Sequence, residues 1–131
     1  MSANSTQRFQ LPEGNSQVKV SLQNFGVMPQ VTIRANTGAS GTITVGGTLS
    51  EDTIDYTATF GTFANPCFAP TLITLEDTTA TPIVGGVITL VANTTKSYKV
   101  DVDMLNEIGF NCASIVGEVE IIVTVEDSQY A

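Results

Sequence analysis

The amino-acid sequence predicts an all-β protein, an antiparallel β-sandwich of seven to nine strands of the jelly-roll or immunoglobulin-like type. Apolar and polar residues alternate with a period of two through most of the chain, the pattern of strands with one buried and one solvated face. Gly, Asn and Pro turn signals separate these runs every 8 to 12 residues or so, a spacing typical of sandwiches and barrels. Apolar residues make up 42% of the chain, which is sufficient for a buried core.

The first 16 residues show no periodicity, so we expect a flexible arm over 1–16 and a single sandwich domain over 17–131. The arm carries the basic Arg8 and a short apolar group, Phe9, Leu11 and Pro12. We expect these four residues to bind a partner, either by adding a strand to a neighbouring sheet or by contacting an acidic surface. A disordered tail is the alternative interpretation.

Alternating runs predict the strands of the domain. They lie at 18–23, 31–34, 42–45, 53–60, 98–103 and 118–125. Residues in the inward register form the predicted core: Val20, Leu22, Ile33, Ile43, Val45, Tyr56, Phe60, Ile73, Leu75, Ile88, Leu90, Tyr98, Val100, Val102, Ile121 and Val123.

Two segments depart from strict alternation. Residues 71–75 and 87–92 are more continuously apolar, which predicts central strands or strands covered on both faces. Residues 103–108 are the best candidate for a helical turn, with Asp103 as its N-cap.

The charge excludes several partners. The formal net charge is −8, and the five basic residues are scattered along the chain. Binding nucleic acid or an anionic membrane requires clustered Lys and Arg, so neither is expected. The first 17 residues lack the apolar core of a secretory signal, which predicts a protein made in a cytoplasm and not secreted.

The chemistry of common enzymes is missing from the sequence. There is no histidine, so serine–histidine and cysteine–histidine nucleophile systems are excluded, and there is no P-loop. We therefore predict a protein that is not an enzyme and needs no cofactor. Cys67 and Cys112 are predicted to be small buried residues and not a disulfide, as expected in a reducing compartment.

Acidic residues offer the remaining candidate site. Asp101 and Asp103 lie two apart on a predicted strand and point to the same face, with Glu107 nearby. Calcium binds six to eight oxygens, so these three residues are candidate ligands, although no calcium-loop motif is present. The favoured interpretation is a solvated strand face with no metal.

A small, acidic all-β chain with a polar arm resembles the structural proteins of tailed-bacteriophage virions, especially capsid decoration (cement) proteins. The resemblance covers the whole chain and includes no diagnostic motif. It implies a virion protein that binds the outside of the shell and ties capsomers together. The expected partners are the major capsid protein or other virion proteins, together with further copies of the chain itself in a homo-oligomer. Acidity favours the outer surface, because packaged DNA repels an acidic protein. The alternatives are a tail, neck or fibre component and a calcium-binding adhesin-like module.

Overall fold

The computed structural model describes residues 4–22, 29–49, 67–75, 82–101 and 105–126. These residues form strands and one 3-10 turn at Val84–Gly86. The strands are β1 (Asn4–Gln10), β2 (Gly14–Ser21), β3 (Gln30–Ala35), β4 (Ser40–Leu49), β5 (Leu72–Thr74), β6 (Pro82–Ile83), β7 (Val87–Thr89), β8 (Thr94–Val100), β9 (Leu105–Val116) and β10 (Val119–Glu126). In this part of the chain no helix is long and apolar enough to cross a bilayer.

The strands form two antiparallel sheets. The first sheet has the order β1-β10-β3-β8-β5-β6, and the second has the order β2-β9-β4-β7. Of the strands in the described ranges, nine have three residues or more, and β6 has two. The predicted all-β antiparallel sandwich is confirmed.

Alternation along each strand builds the core between the sheets. Strand β10 shows the pattern clearly, since Val119, Ile121, Val123 and Val125 are buried while Ile122 between them is only half-buried. Eleven residues of the predicted core are buried: Val20, Leu22, Ile33, Ile43, Val45, Ile88, Leu90, Tyr98, Val100, Ile121 and Val123. Tyr56, Phe60 and Val102 lie outside the described residues.

The predicted helical turn at 103–108 is wrong. Strand β9 begins at Leu105, runs for 12 residues and lies between β2 and β4. Ile108, Phe110 and Cys112 alternate along it and are fully buried, so burial against the other sheet outweighs the weak local preference for a turn. Asp103, the predicted cap, lies outside the described residues.

Of the two segments with continuous apolar sequence, β5 lies inside its sheet between β8 and β6, in line with the predicted central position, whereas β7 does not. Strand β7 is an edge strand, with Ile88 buried and Val87 exposed beside it. In β5 the buried residue is Leu72, whereas Ile73 is half-buried and Leu75, just after the strand, is exposed. Where apolar residues occupy both registers, the sequence gives no signal for the face that points inward.

The predicted arm instead contains two strands. Residues 4–10 form β1, which pairs with β10 without a register shift, and β2 begins at Gly14 in the other sheet. The connection turns sharply at Gly14, whose φ of 90° lies in the left-handed region that glycine adopts without strain. Leu11 in this connection is buried and donates its backbone N–H to the carbonyl of Val119 at 2.9 Å. Burial of Leu11 and pairing with β10 attach the segment to the sandwich.

Candidate interaction surface

The edges of β1 and β2 form one side of the sandwich, which we call the open side. Each is the terminal strand of its sheet, and the two are joined by the three residues 11–13. Strand β1 has seven residues and β2 has eight. Terminal strands of this length present a row of backbone donors and acceptors to which another strand can bind.

The opposite edges are short. Strand β6 has two residues and β7 has three, so these edges provide few backbone groups for pairing. Proteins commonly limit edge-to-edge association by shortening terminal strands. Among the described strands, this protection is therefore present on one side of the sandwich and lacking on the open side.

The basic side chains of β1 and β2 form ion pairs with carboxylates on the strands next to them. Arg8 of β1 lies 3.6 Å from the carboxylate of Glu120 on β10, and Lys19 of β2 lies 3.7 Å from the carboxylate of Glu107 on β9. Charged side chains, lysine in particular, often protect an exposed edge against pairing. Here both cations make ion pairs along the faces of their own sheets.

The outer face of the first sheet carries a row of polar residues that sequence reasoning missed. Gln10, Glu120, Arg34 and Thr95 are successive register partners across β1, β10, β3 and β8. Arg34 donates a hydrogen bond to Glu120 at 3.3 Å, so two arginines share this carboxylate. Arg34 and Glu120 are 86 positions apart, and only the strand order brings them together.

A polar cleft of about 430 Å³ opens at the end of this row. Asn36 donates its side-chain N–H to the carboxylate of Glu118 at 3.4 Å, and Thr37 donates its hydroxyl to the side-chain oxygen of Asn93 at 2.8 Å. None of the residues that line the cleft is aromatic. The cleft therefore lacks the ring faces on which sugars and bases usually stack.

The four arm residues predicted to bind a partner have different environments. Arg8 and Pro12 are exposed. Phe9 is half-buried against the core, and Leu11 is 4% exposed. The two apolar residues therefore pack within the chain's own sandwich, whereas Arg8 and Pro12 remain accessible to another molecule.

The three calcium candidates also lie in different environments. Asp101 is exposed just after β8, where its N–H donates to the carbonyl of Thr71 at 2.9 Å. Glu107 is mostly buried on β9 and pairs with Lys19, and Asp103 lies outside the described residues. Across the described ranges, no three His, Cys, Asp or Glu residues come together in a group that could hold a metal ion.

The two cysteines are free and buried, as predicted. Burial raises the pKa of the Cys67 thiol to about 11, and the negative charge of Glu107 contributes to the same shift. Burial also raises the pKa of Cys112, and the nearby hydroxyl of Ser16 partly opposes that rise. Because a thiol reacts through its thiolate, neither group has the character of a catalytic nucleophile.

Comparison with known proteins reveals the fold and no family. No protein-family model matches the chain, and no curated protein sequence matches it. The crystal structure of the SPBc2 prophage-derived protein YomS is similar over 95% of this chain and 96% of that one, with a TM-score of 0.62 and 16% identity. IMPa from Pseudomonas aeruginosa, solved in complex with an O-glycopeptide, matches 97% of this chain but 13% of its own, with a TM-score of 0.35 and 19% identity.

Proposed function

We propose that this chain is a non-enzymatic structural protein of a bacteriophage virion, a capsid decoration (cement) protein that binds the outer shell and ties capsomers together. The open side carries the proposal, because it offers two long strand edges to neighbouring molecules. Whole-chain similarity in fold to a prophage-derived protein supports a phage origin. The net charge of −8 favours the outside of a DNA-filled shell.

The edge of β2 is the proposed contact with the capsid. The N–H of Leu22 donates to the carbonyl of Asn106 on β9 at 2.7 Å, so even-numbered residues of this strand direct their backbone groups towards β9. The intervening residues Gln17, Lys19 and Ser21 direct theirs away from the sheet. An extended capsid segment could pair with these groups by strand addition, beside the exposed Pro12.

Co-sedimentation tests the proposal. Capsids and tails purified from the parent phage lacking this gene are mixed separately with the protein, and the pelleted protein is measured against concentration. We expect saturable binding to capsids and none to tails. Binding to tails alone would refute the decoration role and assign the protein to the tail.

A matched pair of variants tests the β2 edge. Gln17→Pro removes an N–H that points away from β9, where proline is compatible with an edge strand. The single lost hydrogen bond, worth about 1 kcal/mol, should weaken capsid binding by roughly fivefold. Gln17→Ala changes only an exposed side chain and should bind normally. Equal binding by both variants would remove the β2 edge from the contact.

A further inference from the structure

We infer that two copies of this chain associate through β1, antiparallel about a twofold axis, so that their first sheets join into one continuous sheet. This inference names a partner for the β1 edge and does not depend on the capsid contact proposed for β2. Three features of β1 support it: the residues whose backbone groups point to the open edge, the length of the strand, and the position of its single charged residue.

Pairing with β10 fixes which residues of β1 direct their backbone groups into the sheet and which direct them to the open edge. Leu11 donates its N–H to Val119, and the register with β10 is uninterrupted from Asn4 to Gln10. Odd-numbered residues therefore exchange hydrogen bonds with β10. The backbone groups of the even-numbered residues, Thr6, Arg8 and Gln10 among them, point to the edge, and no other described strand pairs with β1 there.

Pairing of β1 with its own copy over the full length of the strand is compatible with this alternation of backbone groups. If β1 pairs with its own copy over its whole length, residues whose numbers add to 14 stand opposite each other, and the axis passes Gln7. Asn4 then faces Gln10, and Thr6 faces Arg8. The pairs that can exchange hydrogen bonds each join two even-numbered residues, whose free backbone groups meet directly. Four pairs form across the interface, each exchanging two hydrogen bonds.

The position of the charge disfavours the neighbouring register centred on Arg8, and the full length of the strand favours the register centred on Gln7. A shift of one residue in each copy would place Arg8 opposite Arg8 of the second molecule, where like charges oppose pairing. In the register centred on Gln7 each arginine faces a threonine instead and keeps its ion pair with Glu120 at 3.6 Å. Identical patches on both molecules close a dimer about the axis.

Cross-linking tests the register directly. Gln7 is exposed and faces its own copy at a position without hydrogen bonds, where Cα atoms lie about 4.5 Å apart, within the range of a disulfide. Gln7→Cys should therefore oxidise to a covalent dimer. Gln10→Cys is the matched control, because the two copies of that residue lie about 20 Å apart. The native thiols are buried and should not compete.

Analytical ultracentrifugation of the full chain over a range of concentrations measures the association itself. We expect a monomer–dimer equilibrium that Thr6→Pro weakens by roughly thirtyfold through two lost hydrogen bonds, while Thr6→Ala leaves it unchanged. A monomer at every concentration would overturn the inference. A dimer that tolerates Thr6→Pro and fails to cross-link at position 7 would also overturn it, by placing the contact elsewhere. Neither result would alter the co-sedimentation test.

Discussion

The strand face assigned to β10 can be tested with two adjacent isoleucines. Ile121 is fully buried between the sheets, and its register partners are Phe9 on β1 and Ile33 on β3. Ile122 points to the opposite, polar face and is half-buried. Because both sites carry the same residue in the same strand, substituting each by alanine separates the contribution of burial to stability from that of strand propensity.

The expected magnitude follows from the atoms removed. Truncating isoleucine to alanine removes three carbons from the core, or about 2.4 kcal/mol of transfer free energy at roughly 0.8 kcal/mol each, and the cavity left behind adds to this. We expect Ile121→Ala to lower the free energy of unfolding by about 3–4 kcal/mol, and Ile122→Ala by about 1 kcal/mol or less. For a chain of 131 residues, 3 kcal/mol corresponds to a fall in Tm of about 11 °C.

Urea denaturation followed by far-UV circular dichroism measures both variants, since the chain has no tryptophan to report on unfolding. The slope of unfolding free energy against urea should match that of the parent protein, which shows that the folded state is retained. Equal losses at the two positions, or a larger loss at Ile122, would refute the register of β10. The positions of Glu120 and of the β1 pairing would then be wrong as well.

Two further predictions concern local geometry and pH. Gly86→Ala should destabilise the fold by about 2–3 kcal/mol in thermal denaturation, because a Cβ there would lie 2.6 Å from the carbonyl oxygen of Val45. Gly85 has a similar φ but open space around it, so Gly85→Ala should cost about 1 kcal/mol. Equal losses of stability in the two variants would contradict the contact between Gly86 and Val45. The thiol of Cys67 has its pKa raised from 9.0 to about 11, so the folded state holds this proton more tightly than the unfolded state does. The stability that this proton contributes is present below pH 9 and is lost as the pH rises towards 11. The urea concentration at the unfolding midpoint should therefore fall between pH 8 and pH 10.5, and it should fall less in Cys67→Ala than in the parent protein. An equal fall in both proteins would refute the raised pKa.

Alternation in the sequence predicted the fold class because it is visible wherever one face of a strand is apolar and the other polar. Val100 and Ile121 were placed correctly for this reason. The same rule failed at Leu72, where leucine and isoleucine are adjacent and either register is apolar. Strand β1 was missed because Phe9 is the one large apolar residue within it, and Leu11 follows only after the strand has ended.

The candidate surface could not be predicted, because it depends on which strands are neighbours. Arg8, Arg34 and Glu120 are far apart in the sequence, and nothing local indicates that they meet. Lys19 and Glu107 are likewise joined only by the pairing of β2 with β9. The status of β1 and β2 as terminal strands is also a property of sheet order, to which a single sequence gives no direct access.

The unequal lengths of the edge strands limit how far an assembly through them can grow. A sandwich with long edges on both sides could add copies without end and form a fibre, as proteins with two self-complementary sides do. Here β6 and β7 offer two and three residues on the far side. An association through β1 would therefore end at two molecules, whose outer sides carry only these two short terminal strands among those the structure describes.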